Sequence, residues 1–169
     1  MIRKILIVFL ILFLALQFIR PARNTGVASS GSDITHYVHV PDTVMHILIT
    51  SCYDCHSNHT EYPWYTNISP IGLWMRQHIN HGKKAINFSD LSSFTKKKLD
   101  HRFGDIAEQV EKDEMPLPSY TFIHTYAKLD SGQVKLIKSW TDSARRELAF
   151  PKEIPGREAQ KGASVPLGG

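Results

Sequence analysis

The sequence predicts an all-α protein, and two observations favour that fold class. Apolar residues recur at helical spacing in four segments between residues 41 and 148. No segment alternates apolar and polar residues for long enough to indicate a β-strand. With 169 residues, of which 42% are hydrophobic and 21% charged, the chain has the size and composition of one ordinary folded domain with tails.

The first twenty residues have the charged head and apolar stretch of an export signal. Arg3 and Lys4 precede residues 5–19, which contain a single polar side chain. Fifteen helical residues span about 22 Å against a hydrocarbon layer of roughly 30 Å, so length does not distinguish a cleaved signal peptide from a retained signal anchor. The small-x-small cleavage candidate, 26–28, lies well beyond the apolar stretch. We therefore predict a signal anchor or signal peptide at 1–20, and favour the anchor.

The remaining chain divides into a linker, a domain and a tail. Residues 21–40 are rich in Gly, Ser, Asn and Thr without apolar periodicity, and are predicted to be a flexible linker. The folded domain is expected at 41–148. The polar segment 149–169, with scattered Gly and Pro, is predicted to be a mobile C-terminal tail.

The first two helices of the domain have recognisable starts. The first is expected to begin at Pro41-Asp42. The second begins at Ser69-Pro70, because serine can cap a helix and proline tolerates its first position. Gly82 is expected to end the second helix.

A third helix is predicted over 94–112, and a fourth from near Ser131. Four short helices joined by long irregular segments make a thin core, which indicates that another group holds the segments together. The side chains expected to face the core are Val44, Ile47, Leu48, Ser51, Ile71, Trp74, Met75, His78, Ile79, Phe94, Phe103, Ile106, Ala107, Val110, Val134, Ile137, Trp140, Ala144 and Leu148.

The net charge of +4 belongs to the N-terminal segment. Four basic residues precede the first acidic residue, Asp33, and the remainder holds sixteen basic and sixteen acidic side chains. A nucleic-acid interface needs a local excess of cations to displace counterions. The charge balance therefore argues against a nucleic-acid partner.

Both cysteines of the chain lie in one motif, Cys52-Tyr53-Asp54-Cys55-His56. Cys-x-x-Cys-His is the attachment signature of c-type haem. Residues three apart on a helical turn point the same way, so both thiols can reach the two vinyl groups along one porphyrin edge. The next residue brings an imidazole nitrogen under the iron. We predict one covalent haem c per chain, attached at Cys52 and Cys55, with His56 as axial ligand.

Other interpretations of these cysteines remain open. A thiol–disulfide redox centre normally lies in a βαβ context, and the sequence indicates no strands. A zinc site could use Cys52, Cys55 and either His56 or His59, but it needs one more ligand, and structural zinc usually has a second ligand pair at regular spacing. A disulfide between residues three apart closes too short a loop to stabilise much.

The second axial ligand is predicted to be Met115, which precedes Pro116 on a loop. Proline holds the residue before it in an extended conformation, which can position the thioether over an iron. Methionine opposite histidine raises the reduction potential. The competing ligands are His78, His81 and His124, and an open sixth position is a further alternative.

Two groups near the motif are candidates for contact with a porphyrin. The run at 62–65 supplies three aromatic rings, which offer a flat apolar plate a large contact area, although such rings equally often anchor a loop against protein alone. Arg76 and Lys83 are candidates to pair with the propionates.

These stretches resemble a known family, the small bacterial haem-binding domain of monohaem c-type cytochromes, typical of exported proteins in Bacteroidetes-like bacteria. The resemblance is carried by CYDCHSNHTEYPWY (52–65), ISPIGLW (68–74), RQHINHGKKAINFS (76–89), EKDEMPLPSYTFIH (111–124) and AKLDSGQVKLIKSW (127–140). It implies an all-α, cytochrome c-like fold wrapped around a haem held by Cys52 and Cys55, with His56 as axial ligand. The assignment of Met115 rests on the Met-Pro pattern of cytochromes c in general.

The resulting expectation is an exported monohaem cytochrome that transfers single electrons on the periplasmic side of the inner membrane, held there by its N-terminal helix. With protein ligands on both sides of the iron there is no place for a substrate, so we expect an electron carrier or haem-binding subunit rather than an enzyme. The redox partner is a protein that the sequence does not identify. The alternatives are a haem-based sensor or peroxidase-like protein with an open sixth site, and a zinc-binding module without haem.

Overall fold

The computed structural model describes residues 1–149, so the predicted tail lies, but for Ala149, outside the described residues. Within 1–149 every extended regular element is helical, which confirms the predicted all-α class. The α-helices are α1 (Ile2–Leu16), α2 (Asp42–Ser51), α3 (Tyr53–His56), α4 (Ile71–Ala85), α5 (Lys96–Glu111), α6 (Pro118–Thr121) and α7 (Ser131–Ala149). Single turns of 3-10 helix lie at Ile34–His36, Trp64–Asn67 and Thr125–Ala127.

Helix α1 stands apart from the core, because none of its residues is buried. Of the helices in the described part of the chain, none combines the length and apolarity needed to cross a membrane. The N-terminal signal anchor or signal peptide stays a prediction.

The core is built on the pair α5 and α7, with α2 packed against α7. The rings of Phe103 and Trp140 meet edge to face with their centroids 5.4 Å apart, and the Trp140 indole nitrogen donates to the His39 carbonyl at 3.0 Å. All four residues predicted to face inward on α2 are buried. The same holds for Ile137 and three further predicted positions on α7. The helical spacing therefore identified these two packing faces correctly.

Helix α4 differs from its prediction in both its end and its packing face. It continues to Ala85, three residues beyond Gly82. Its buried residues are Gly72 and Ile79, whereas Ile71 and Trp74, which were expected in the core, are 41% and 47% exposed. Ile79, from the same predicted face, is buried as expected. The helix also approaches its neighbours through Gly72 and Gly82, where a Cβ would meet the carbonyl oxygens of Thr66 and Cys55.

The segment predicted as a flexible linker instead packs on the domain. Ile34 and Val38 are buried in the main hydrophobic cluster, and the Ile34 amide donates to the Phe88 carbonyl at 2.9 Å. The Asn24 side chain donates to the Ser57 carbonyl at 2.9 Å. The prediction failed because two apolar residues four apart are too short a pattern to indicate a buried segment.

The attachment of this segment begins immediately after α1. The Gln17 side chain donates to the Ser69 carbonyl at 3.0 Å and accepts from the Ser69 amide at 3.0 Å. Arg20 donates to the Asn67 carbonyl at 3.0 Å. The chain is therefore bonded to the domain from residue 17 onward.

Asp33 is the buried polar residue that organises this segment. Its carboxylate accepts from the Thr35 amide at 2.9 Å and the Thr35 hydroxyl at 2.6 Å, and from the Ser29 hydroxyl. Burial acts to raise the pKa of Asp33, but these hydrogen bonds outweigh it and hold the pKa below the ordinary 3.8. Asp33 therefore stabilises the fold in its ionised form.

Replacing Asp33 with alanine is expected to lower the free energy of unfolding by about 2 kcal/mol at pH 7, because three hydrogen bonds to a charged acceptor are lost. A lowered folded-state pKa contributes stability above the unfolded value that disappears as pH falls through the folded value. The difference between wild type and Asp33→Ala should therefore shrink below about pH 4. Urea unfolding at pH 7 and pH 3 measures it. The exposed Asp142→Ala is the control, and a loss of equal size at both pH values would contradict the prediction.

Candidate cofactor site

The two cysteines lie on one turn of helix, as the motif predicted. The His56 amide donates to the Cys52 carbonyl at 2.9 Å, which closes the turn of α3 directly after α2. Beneath the turn, the ring of Tyr53 stacks on Phe88 with centroids 5.6 Å apart. Cys52 and Cys55 are both free thiols and half-buried. The motif is thus held rigidly on the core with its two sulfurs available.

Burial changes the acidity of both thiols. It raises the pKa of Cys52 to about 12, with a further contribution from Cys55. It raises the pKa of Cys55 to about 11, with a further contribution from the Asp54 carboxylate. A thiol–disulfide centre depends on a lowered pKa that yields the thiolate. The environment of these cysteines therefore disfavours the redox-pair interpretation.

His56 is oriented by its backbone contact. Its Nδ1 lies 3.1 Å from the Ile86 carbonyl oxygen, which can only accept, so Nδ1 carries the proton and Nε2 keeps its lone pair. Burial lowers the pKa of His56, against the opposing effect of hydrogen bonds to the backbone at Ile86 and Gly82. A neutral imidazole with one nitrogen anchored is the usual arrangement of a histidine metal ligand.

Two adjacent cavities flank the motif, with volumes of about 320 and about 310 Å³. Both are lined by Ser51, Cys52, His56, Ala85, Met115 and Pro116. The first cavity is bounded in addition by Asp54, Cys55, His78, His81, Gly82, Leu117 and Tyr120. The second cavity is bounded in addition by Ile86, Phe88, Arg102, Asp105, Ile106, Glu108, Gln109 and Val110. The two cavities share these six lining residues, and we refer to both cavities together as the slot. The motif borders both of them.

The structure brings Met115 to this slot, together with the predicted residues of the motif. Met115 lines both cavities, and its amide donates to the Gln109 carbonyl at 3.2 Å, which fixes the loop to the end of α5. The four residues predicted from sequence, Cys52, Cys55, His56 and Met115, therefore border a common space.

The competing histidines fall into two groups. His78 and His81 line the first cavity. His124 lines neither cavity. Its two ring nitrogens lie 2.6 Å from the Tyr65 hydroxyl and 2.8 Å from the Tyr126 hydroxyl. His124 is thus a buried histidine held by tyrosines.

The slot does not include the other candidate porphyrin contacts, which are residues 62–65, Arg76 and Lys83. None of those residues lines either cavity. The Tyr62 hydroxyl accepts from the Asn24 amide at 2.8 Å, and Lys83 donates to the Asn24 side chain at 2.7 Å. Tyr62 and Lys83 instead hold the N-terminal segment, Tyr65 contacts His124, and Trp64 and Arg76 are exposed.

Three residues of the site were missed by sequence reasoning. A Cβ at Gly82 would lie 2.5 Å from the Cys55 carbonyl oxygen, so only glycine lets α4 approach the motif this closely. The Tyr120 hydroxyl donates to Asp54 at 2.7 Å and ties α6 to the motif. Arg102 reaches the second cavity from α5. For these three residues the one signal in the sequence was the glycine at position 82, which lies within a helical pattern.

These residues fit a haem. Two thiols on one turn, an imidazole with a free Nε2 and a thioether are the groups that c-type attachment and ligation use. Arg102 lines the second cavity, and its Nε is a buried donor without a hydrogen-bond partner among the described residues. The zinc interpretation requires a further ligand beside the cysteines and a histidine. Within residues 1–149 no group of three or more His, Cys, Asp and Glu side chains is placed to hold a metal ion.

An all-α domain with these donors around one slot defines a haem-binding protein. A family model described as a haem-binding domain matches residues 11–143, and the chain belongs to that family. The resemblance inferred from the sequence is thereby confirmed. The match begins before residue 41, in agreement with the packing of the preceding segment on the domain. No match was found among curated proteins or among solved structures.

Proposed function

We propose that this haem-binding protein is an exported monohaem c-type cytochrome that carries single electrons. In this proposal Cys52 and Cys55 would hold the haem by thioether bonds, and His56 and Met115 would be the residues that ligate its iron. The observation that carries it is the shared slot, since Cys52, His56 and Met115 line both cavities and the His56 ring is anchored through Nδ1 to the Ile86 carbonyl oxygen.

A bound haem would supply a one-electron iron couple. The protein's own residues fix how that couple is held. The Ile86 carbonyl keeps the His56 ring in one orientation. Met115 offers a soft thioether, which favours the reduced state. With both axial positions supplied by the chain, no substrate position remains, so the proposal is a carrier or haem-bearing subunit and not an enzyme.

The proposed location is the periplasmic side of the inner membrane. The support for it is the charged head and apolar stretch at 1–20, which is typical of an export signal. In this proposal the N-terminal segment directs the domain across the membrane and associates with it. A second protein then exchanges electrons with the domain.

The test of the proposal is the colour and chemistry of the full-length chain produced with a haem-attachment system. The expected result is one haem per chain that stays with the polypeptide in a denaturing gel and gives a thioether-type pyridine haemochrome spectrum. A chain that contains zinc and no haem, with both thiols open to alkylation, would contradict the proposal.

Met115→Ala is expected to remove the thioether-to-iron absorption band of the oxidised protein. It should also lower the midpoint potential, because a ligand that favours reduced iron is lost, and allow the reduced protein to bind carbon monoxide. Absorption spectra and a potentiometric titration measure these effects. Met75→Ala is the matched control, since Met75 is half-buried on α4 and lines neither cavity. Carbon monoxide binding by the wild type would instead favour the sensor or peroxidase-like alternative.

A further inference from the structure

Arg102 lines the second cavity and has a buried nitrogen without a hydrogen-bond partner among the described residues. Its Nη1 donates to the Asp105 carboxylate at 2.9 Å, and Asp105 in turn lies 3.1 Å from the His101 ring. The Nε of Arg102 is buried and has no hydrogen-bond partner among the described residues. One edge of the guanidinium is therefore occupied by protein, and the Nε edge is not.

A buried donor without an acceptor is costly, by about 1–3 kcal/mol for a neutral group and more for a charged one. Folded proteins therefore satisfy nearly all such groups, and each exception calls for a partner. The Nε–H and the adjacent Nη–H of arginine form a planar fork that matches the two oxygens of a carboxylate. Arg102 lines the second cavity, so an anion of carboxylate geometry bound there is the kind of partner that would complete this fork.

No residue in the described part of the chain pairs with this Nε. Besides Asp105, two acidic or amide side chains line the second cavity. Glu108 is paired with Lys112, and the Gln109 side chain donates to the Glu114 carboxylate at 2.8 Å. Among residues 1–149, Arg102 is the one lysine or arginine that lines the second cavity. The candidate cations chosen from sequence, Arg76 and Lys83, line neither cavity.

We propose that Arg102 binds a propionate carboxylate of the haem in the second cavity through its Nε edge, and that Asp105 is a positioning residue that holds the guanidinium in place. The inference rests on the proposed haem site. It is independent of the identity of the sixth ligand. In this arrangement the positive charge of Arg102 neutralises a propionate and opposes the extra positive charge of oxidised iron.

The experiment uses the full-length holoprotein with Arg102→Met, which keeps the apolar stem and removes the charge and the fork. The haem is labelled in its propionate carboxylates by growth on carbon-13 5-aminolevulinate. We expect the reduction equilibrium to shift about tenfold toward the oxidised state, which for one electron is about 59 mV. We also expect the labelled carboxylate bands in the infrared difference spectrum to move.

Two further variants make the result specific. Lys97→Met removes the same charge from an exposed site on the same helix, and should leave the potential and the infrared bands unchanged. Arg102→Lys keeps the charge without the fork, so it should restore most of the potential but not the wild-type carboxylate bands. A merely structural role for Arg102 would not move the carboxylate bands.

The failures of the two proposals can be told apart. If the wild type acquires no haem, the proposed function falls and this inference falls with it. If the haem is attached and Arg102→Met matches Lys97→Met in potential and in carboxylate bands, the inference is overturned and the proposed function stands.

Discussion

The double variant Cys52→Ala, Cys55→Ala is expected to lose all haem that resists denaturation. Both sulfurs lie on the single turn that forms the floor of the slot, and no other cysteine exists in the chain to replace them. Without thioether bonds, a haem would be held by axial coordination and packing alone, which denaturant removes. Each single variant should keep one link and remain coloured on a denaturing gel.

The measurement is haem staining of a denaturing gel together with the pyridine haemochrome spectrum, which differs between two, one and no thioether links. Ser51→Ala is the matched control, because Ser51 lines the same two cavities and precedes the motif directly. It should keep a full complement of attached haem. Covalent haem in the double variant would disprove attachment at these sulfurs.

Gly82→Ala is expected to destabilise the protein and to reduce haem incorporation. The added Cβ would lie 2.5 Å from the Cys55 carbonyl oxygen and 3.3 Å from the Cys55 Cβ. The obstacle is backbone, so α4 must move away from the motif. Overpacking of this kind costs about 1–3 kcal/mol, and the better helix propensity of alanine returns up to about 1 kcal/mol. With the contact this short, we expect a net loss of about 2 kcal/mol.

Chemical unfolding of the holoprotein measures this loss, and the haem-to-protein absorbance ratio measures incorporation. Gly31→Ala is the control, because a Cβ there meets no atom within 4 Å. Its unfolding free energy should change by less than about 0.5 kcal/mol. Equal stability of the two alanine variants would show that the α4–motif contact tolerates separation.

Local patterns predicted the fold well where one face of a helix packs on the core. The spacing of Val44, Ile47 and Leu48 predicted α2 and its buried face, since periodicity reports burial directly. Residue preference at helix ends placed Gly82 at the end of a helix, because glycine is common there. In the structure that glycine is an internal contact residue. Which role a glycine plays depends on what approaches it, and that is a tertiary property.

The candidate site divides in the same way. The cysteines and His56 are adjacent in sequence, so one turn of helix suffices to place them together. Met115 is 59 residues beyond His56 in the sequence, and its position in the slot depends on the bond to Gln109 at the end of α5. Arg102 carried no signal, because its place beside the motif exists only once α5 and the motif border the same cavity.

The bonds that join residues 17–24 to the domain have a consequence for how electrons could be exchanged. Gln17, one residue past the end of α1, already makes two hydrogen bonds to the Ser69 backbone. No flexible segment therefore separates the apolar helix from the folded domain. If α1 is retained and holds the protein at a membrane as proposed, the domain would keep a fixed distance and orientation relative to the membrane surface. A donor or acceptor would then have to come to it, and its own shape would decide whether the two can meet.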